Sequence, residues 1–185
     1  MIGDVAGKGP PAALLTAAVQ GMFVGQAMIG GTPGSALSSV NRSLIRRAIQ
    51  SRFVTMMYGV LSPDGTLKYS NGGHNPPFLI TKDGVKRLET GGLILGLFGH
   101  AIYEEETLRM QPDDVLVVFS DGVSEAVDVA GEEFGDDRIL AAVEACPDRD
   151  PKCLLAALLD EVKKFSAGTP QRDDVTVVMV RFTGT

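Results

Sequence analysis

The chain has 185 residues, 44% of them hydrophobic, which is enough to bury the core of one ordinary globular domain. Its net charge of −6 at pH 7 argues against a nucleic-acid or anionic-membrane binder, because both kinds of protein need basic patches. An acidic chain still binds phosphate esters when metal ions supply the positive charge. The cysteines, Cys146 and Cys153, lack a zinc-site spacing and are too few for a disulfide framework, so we interpret them as helix or loop residues of a cytoplasmic protein.

The first part of the chain is predicted to be a helical hairpin. The start of the chain lacks the basic and apolar regions of a signal peptide, so none is expected. No residue from Gly9 to Asn41 is charged, but prolines, glycines and glutamines interrupt this stretch, which argues against a membrane-spanning helix. We therefore predict a helix over residues 12–29 that is buried on more than one side. A second helix is predicted over residues 35–50, with an apolar stripe made of Leu37, Val40, Leu44, Ile45 and Ala48.

The middle of the chain is predicted to be a β-meander. Residues 53–61, 67–70 and 77–80 are short β-type runs, and Pro-Asp-Gly and Asp-Gly turn sequences lie close to them. Such runs joined by tight turns indicate three consecutive antiparallel strands.

The last part of the chain is predicted to contain two strands and two helices. Residues 115–119 and 175–182 are apolar and β-branched, which is typical of strands buried on both faces. Residues 136–145 and 151–166 have helical patterns. Because strands and helices do not alternate along the chain, we predict an α+β fold in a single domain over residues 1–185.

Three short acidic motifs indicate a cation site. Asp121 follows the predicted strand 115–119, and Asp173 precedes the predicted strand 175–182. If these strands are antiparallel neighbours, the two carboxylates converge at one edge of the sheet. Asp4, in the motif Gly-Asp-Val-Ala-Gly-Lys-Gly, would complete the cluster. An all-oxygen set of ligands favours Mg²⁺ or Mn²⁺ over Zn²⁺, although a carboxylate beside a strand end, taken alone, is more often a turn former or a helix cap.

Other residues near these motifs allow more than one interpretation. His74 is either a general acid or a turn histidine bonded to the backbone. Lys8 and Arg172 are either phosphate contacts or solvated side chains. Ser120 and Ser124 lack the surroundings of a serine nucleophile.

Two further features have simpler explanations. The spacing of Gly3, Gly7 and Gly9 does not match a phosphate-binding P-loop. The acidic residues 104–106 are expected on a solvated face.

The order of the motifs is more specific than any one of them. The chain carries five in succession: Gly-Asp-Val-Ala-Gly-Lys-Gly at 3–9, Asn-Gly-Gly-His-Asn-Pro-Pro at 71–77, Gly-Gly-x-x-Leu-Gly at 91–96, Phe-Ser-Asp-Gly-Val-x-Glu-Ala at 119–126 and Arg-Asp-Asp-Val-Thr at 172–176. This order resembles the bacterial branch of the metal-dependent type 2C protein serine/threonine phosphatases, which includes the stage II sporulation phosphatase and stress-response sigma regulators. The resemblance extends from Gly3 to Phe182.

The resemblance implies both a fold and a reaction. The fold would be a four-layer αββα sandwich of two antiparallel sheets flanked by helices, with a binuclear Mn²⁺ or Mg²⁺ centre. Asp4 would bridge the ions, the main-chain carbonyl of Val5 would bind one of them, and Asp121 and Asp173 would complete the ligands. Asp174 would occupy the Asn-like position of the family's Asp-Asn motif. A metal-activated water would attack a phosphoserine or phosphothreonine of a regulatory protein, such as an anti-sigma-factor antagonist.

One departure from the family pattern lies at the start of the chain. Family members carry a further acidic motif on strands that precede the Asp4 motif, so we expect a fold that lacks its first strands. An exposed sheet edge and an uncovered helix face would favour association, and residues 12–50 are the expected interface of a homo-oligomer, such as a dimer. The alternative function is a weakly active or inactive phosphatase-fold module that binds regulatory partners. Neither nucleic acid nor a membrane is expected as a partner.

Overall fold

The computed structural model describes residues 1–46, 52–146 and 149–184. The elements in chain order are β1 (Ile2–Val5), α1 (Pro10–Ile29), α2 (Pro33–Arg46), β2 (Val54–Leu61), β3 (Thr66–Gly72), β4 (Phe78–Thr81), β5 (Gly84–Arg87), β6 (Gly91–Gly92), β7 (Glu106–Arg109), β8 (Val115–Phe119), α3 (Asp121–Ser124), α4 (Gly135–Glu144), α5 (Pro151–Phe165) and β9 (Val177–Arg181). These elements form two compact units, each with its own sheet and hydrophobic core. The chain is therefore α+β with two sheets and flanking helices, as the sequence predicts.

The first unit consists of Met1–Pro76 and Leu88–Arg109. Its sheet has the order β1-β2-β3-β6, with β7 also paired to β3, and every pairing is antiparallel except the two-residue pairing of β6. The turn between β2 and β3 is the predicted one, since the amide of Gly65 donates to the carbonyl of Ser62 at 3.0 Å. Helices α1 and α2 pack together, and the core is shared between them and the sheet.

Helix α1 is buried along one stripe only, which corrects the prediction of burial on more than one side. Prolines at its start and Gly30 in the left-handed conformation at its end set the predicted bounds closely. Leu15, Val19 and Phe23 are buried, because the helix packs on α2 and β1. Leu14 is 73% exposed and Met28 is 84% exposed. By length and composition α1 would be able to cross a membrane, a property that some core helices and signal sequences share.

Helix α2 follows the predicted stripe as far as it is described. Leu37, Val40 and Leu44 are buried, and Ile45 is half-buried. The last four residues of the predicted helix, which include Ala48, lie outside the described residues.

The second unit consists of Pro77–Arg87 and Met110–Thr185. Its sheet has the order β5-β4-β8-β9, with every pairing antiparallel. All five residues of β8 are buried, as predicted. Helices α4 and α5 pack together, and both contribute to the core that also contains β8.

Three predictions about the strands need correction. The third run of the predicted meander, β4, pairs with β8 rather than with β3, because two prolines follow Asn75 and proline has no amide hydrogen to continue a ladder. Strand β9 is an edge strand whose Val178 is 46% exposed, and it is therefore not buried on both faces. Glu106 is not simply solvated, since it begins β7 and its carboxylate accepts a hydrogen bond from the hydroxyl of Tyr69 at 2.5 Å.

The two cysteines form a disulfide, which the sequence did not predict. Cys146 follows α4 and Cys153 lies in the first turn of α5, and their Cα atoms are 6.5 Å apart. The seven-residue separation is long enough for the chain to turn between two helices, so the bond connects the end of one helix to the start of the next.

Candidate functional site

In the second unit, the pairing of β8 with β9 brings two predicted ligands to the same end of the sheet. Phe119 is the register partner of Val177, so the end of β8 lies beside the start of β9. Asp121 opens α3 directly after β8, and Asp173 lies in the loop that leads into β9. The sequence-based expectation of antiparallel neighbours is thereby confirmed.

Ser120 connects the two loops that carry these aspartates. Its amide donates to the carbonyl of Thr176 at 3.0 Å, and its hydroxyl donates to the carbonyl of Asp174 at 2.9 Å. The amide of Thr176 donates back to the Ser120 oxygen at 3.0 Å. Because the hydroxyl acts as both donor and acceptor within the structure, Ser120 has a positioning role, which agrees with its exclusion as a nucleophile.

Gly122 allows the loops to approach more closely than any other residue would. A Cβ atom at this position would lie 2.3 Å from the carbonyl oxygen of Asp174. The amide of Gly122 donates to Oδ1 of Asp121, and the amide of Asp174 donates to Oδ1 of Asp173, both at 2.8 Å. Each carboxylate is therefore oriented by the amide that follows it.

Two glutamates add to the negative charge at this end of the sheet. The pKa of Glu125 is raised, first by burial and then by the negative charges of Asp121, Glu133 and Asp173. A divalent cation would remove this repulsion, and carboxylate oxygens are the ligands that Mg²⁺ and Mn²⁺ prefer. The donor chemistry therefore fits such an ion, although the described residues contain no group of three or more candidate ligands in a metal-binding arrangement. The sequence indicates that the acidic residues of 113–137, which flank Asp121, attract metal ions, but it does not single out Glu125 among them.

In the first unit, the predicted ligands Asp4 and Val5 lie on β1. This strand is at the edge of its sheet, and Asp4 is the register partner of Thr55. A Cβ atom at Gly3 would lie 2.6 Å from the carbonyl oxygen of Thr55, so glycine is needed beside Asp4. The turn after β1 is held by Arg52, whose Nη1 donates to the carbonyl of Ala6 at 3.1 Å.

His74 is buried in the first unit and bonded to the strand opposite β1. The side chain of Asn71 accepts from the amide of His74 at 2.8 Å and donates to the carbonyl of His74 at 2.9 Å. Nδ1 of the ring lies 3.1 Å from the hydroxyl of Thr55. The polar motif at 71–77 thus connects to the residue that pairs with Asp4.

The fold is that of the type 2C (PP2C) phosphatase domains. The structure of the PP2C phosphatase domain and a regulatory fragment of SpoIIE from Bacillus subtilis superposes with a TM-score of 0.79 at 22% identity, covering 97% of this chain and 52% of that one. The catalytic domain of the serine/threonine phosphatase PstP, solved with two manganese ions, gives a TM-score of 0.63 at 15% identity and covers 95% and 84%.

The sequence defines the family more narrowly than the fold does. The chain belongs to the stage II sporulation protein E (SpoIIE) family, whose model matches residues 1–183. It is also similar to the phosphoserine phosphatase RsbU of Bacillus subtilis, with 34% identity over 127 residues that make up 67% of this chain and 38% of RsbU. The chain thus spans little more than a third of the length of that relative. The predicted family and branch are confirmed.

We expect Ser120→Ala to destabilise the second unit. The substitution removes the two hydrogen bonds that the buried hydroxyl of Ser120 makes with the loop before β9, and a typical hydrogen bond contributes about 0.5–1.5 kcal/mol to stability. The free energy of unfolding would be measured by urea titration. The control is Ser43→Ala, which removes only a hydroxyl bond to the Ser39 carbonyl within α2. Equal losses in the two variants would contradict the role assigned to Ser120.

Proposed function

We propose that this chain is a divalent-metal-dependent protein serine/threonine phosphatase. The observation that carries the proposal is that Asp121 and Asp173 lie at the same end of the sheet, where β8 and β9 pair. Membership of the SpoIIE family and the similarity to a phosphoserine phosphatase support the same activity. Gly3 beside Asp4 and Gly122 beside Asp121 occupy positions where a larger residue would clash with the backbone. These glycines therefore allow the close backbone contacts that position each carboxylate.

In this proposal the metal ligands are the four residues that the motifs select. They are Asp4, the main-chain carbonyl of Val5, Asp121 and Asp173. Two Mn²⁺ or Mg²⁺ ions, when bound, would activate water and neutralise charge on the phosphoryl group. The assignment of Asp4 as a metal ligand rests on the family resemblance. The two manganese ions of PstP support the choice of metal.

The residues of the chain itself have positioning roles in this mechanism. The hydrogen bonds of Ser120 connect the loop of Asp121 to the loop of Asp173. They thereby hold the two loops in a fixed relative position. Arg52 does the same for the turn that follows Asp4 and Val5. Prior orientation of this kind lowers the cost of reaching the geometry of the transition state.

The proposed substrate is a phosphorylated regulatory protein. An anti-sigma-factor antagonist is the specific choice, because the branch that the motifs resemble acts on such proteins. A cytoplasmic location is part of the proposal, and a disulfide between Cys146 and Cys153 is an unusual feature in that compartment.

Substitution of the proposed ligands tests the function. Asp121→Ala and Asp173→Asn should each lower Mn²⁺-dependent hydrolysis of a phosphoserine protein and of para-nitrophenyl phosphate by more than about 100-fold. Loss of a residue that only supports a metal ligand already lowers activity by up to about 100-fold, and loss of the ligand itself should cost more. Asp137→Asn, which alters an exposed carboxylate on α4, is the matched control and should retain activity.

Two outcomes of these assays would decide against the proposal. Activity that survives both ligand substitutions would refute the metal mechanism. A wild-type protein without Mn²⁺-dependent activity would favour the alternative, a phosphatase-fold module that acts by binding regulatory partners.

We also propose that the chain forms a homo-oligomer through α1. Its exposed face is apolar and includes Leu14, Val24, Met28 and Ile29. Exposed apolar surface of this kind is typical of protein interfaces.

Light scattering after size-exclusion chromatography tests this interface. The wild type should have the mass of at least two chains, and Leu14→Asp with Met28→Asp should reduce it to one, because two buried charges oppose association. Ile102→Asp, at a residue that is 77% exposed in the same unit, should leave the mass unchanged. A wild-type mass equal to one chain would refute the interface.

A further inference from the structure

A cavity in the second unit lies directly beside the proposed metal ligands. Its volume is about 510 Å³, and its walls come from α5, the residues that follow α3 and the loop before β9. Asp173 and Gly122, the neighbour of Asp121, belong to its lining. We refer to it as the flanking cavity.

We propose that the flanking cavity binds a large apolar side chain of the phosphoprotein substrate, located within a few residues of the phosphorylated serine or threonine. This inference rests on the proposed function, since it assigns the substrate specificity of the same site. The flanking cavity would therefore favour substrates with leucine, isoleucine, methionine or phenylalanine close to the phosphorylated residue.

The lining of the flanking cavity supports an apolar occupant. Its apolar side chains are those of Ala126, Val127, Leu159, Val162, Pro170 and Val175. Val127 and Val162 are buried, whereas Leu159 is 40% exposed. The cavity therefore has a buried apolar floor and an apolar wall that is accessible from solvent. Cavities of this size and composition are typical of sites that enclose most of a small apolar group.

The charged residues of the lining argue against a charged occupant. Glu125, Glu133 and Asp173 would repel an acidic side chain. Lys163 and Arg172 would repel a basic one. Because charges of both signs border the cavity, an uncharged side chain enters it at the lowest cost in desolvation and repulsion.

The position of the flanking cavity limits where the apolar residue lies in the substrate. A cavity of this volume is about 8 Å across, and an extended peptide crosses that distance in two or three residues, at about 3.4 Å each. Because Asp173 lines the cavity, a phosphorylated residue at the proposed metal ligands places its near neighbours within reach. We therefore expect the apolar residue within about three positions of the phosphoserine.

The experiment is a leucine scan of a phosphopeptide. A phosphoserine peptide with alanine at three positions on each side is the parent, and leucine replaces each alanine in turn. With Mn²⁺ and the wild-type protein, leucine at one or two positions should raise kcat/KM about tenfold or more, mainly through a lower KM. Leucine at the remaining positions should have little effect.

Three variants assign the preference to the cavity. Leu159→Ser should remove most of the leucine preference, whereas Leu159→Met, which keeps an apolar wall, should retain it. Val178→Ser alters an apolar residue of similar exposure on β9 that does not line the cavity, and should also retain it. Hydrolysis of para-nitrophenyl phosphate, which has no amino acid residues beside its phosphate, should be equal in all four proteins.

The outcomes separate this inference from the proposed function. Equal kcat/KM for all peptides, or a leucine preference that persists in Leu159→Ser, would overturn the inference while leaving the phosphatase activity intact. Absence of para-nitrophenyl phosphate hydrolysis by the wild type would instead count against the proposed function. In that case fluorescence anisotropy of labelled leucine and alanine peptides decides, and equal dissociation constants for the two would overturn the inference.

Discussion

The antiparallel pairing of β8 with β9 is the interaction on which the candidate site depends. The five buried residues of β8 anchor the pair in the core of the second unit, and the register places Ser120 beside Thr176. Only because of this register do Asp121 and Asp173, which are far apart in sequence, come close enough for their charges to raise the pKa of Glu125 together. The buried strand β8 thus supplies the stability, whereas the carboxylates at the end of the strand pair repel one another. A divalent cation would offset that repulsion.

The first unit has a similar arrangement around β1. Asp4 lies on β1, an edge strand that is paired on one side by β2. Close contact at Gly3, the guanidinium of Arg52 on the following turn and the bond from Thr55 to His74 fix the backbone around it. In both units, glycine permits a close backbone approach and polar side chains hold the neighbouring loop. The acidic motifs therefore combine a ligand with the residues that orient it.

Much of this arrangement could be predicted from the sequence, because local patterns determine much of it. The apolar run of β8, the helical stripe of α2 and the Pro-Asp-Gly turn after β2 each indicate their structure without outside information. The two prolines before β4 oppose a ladder with β3, but the sheet that β4 joins instead is decided by tertiary packing rather than by local propensity. Short strands such as β1 and β6 have too few residues for a detectable period. The disulfide and the exposed face of α1 also depend on tertiary contacts, which local sequence patterns do not predict.

Calorimetric titration with Mn²⁺ is the most direct test of the central claim, that the acidic motifs together form one metal centre. The wild-type chain is predicted to bind two Mn²⁺ ions, and Asp4→Asn and Asp173→Asn are each predicted to weaken the binding or remove an ion. Substitution of the exposed Asp160, which pairs with Lys164 on α5, should leave the titration unchanged. A wild-type protein that binds no Mn²⁺, or ligand variants that bind it as tightly as the wild type does, would contradict the account.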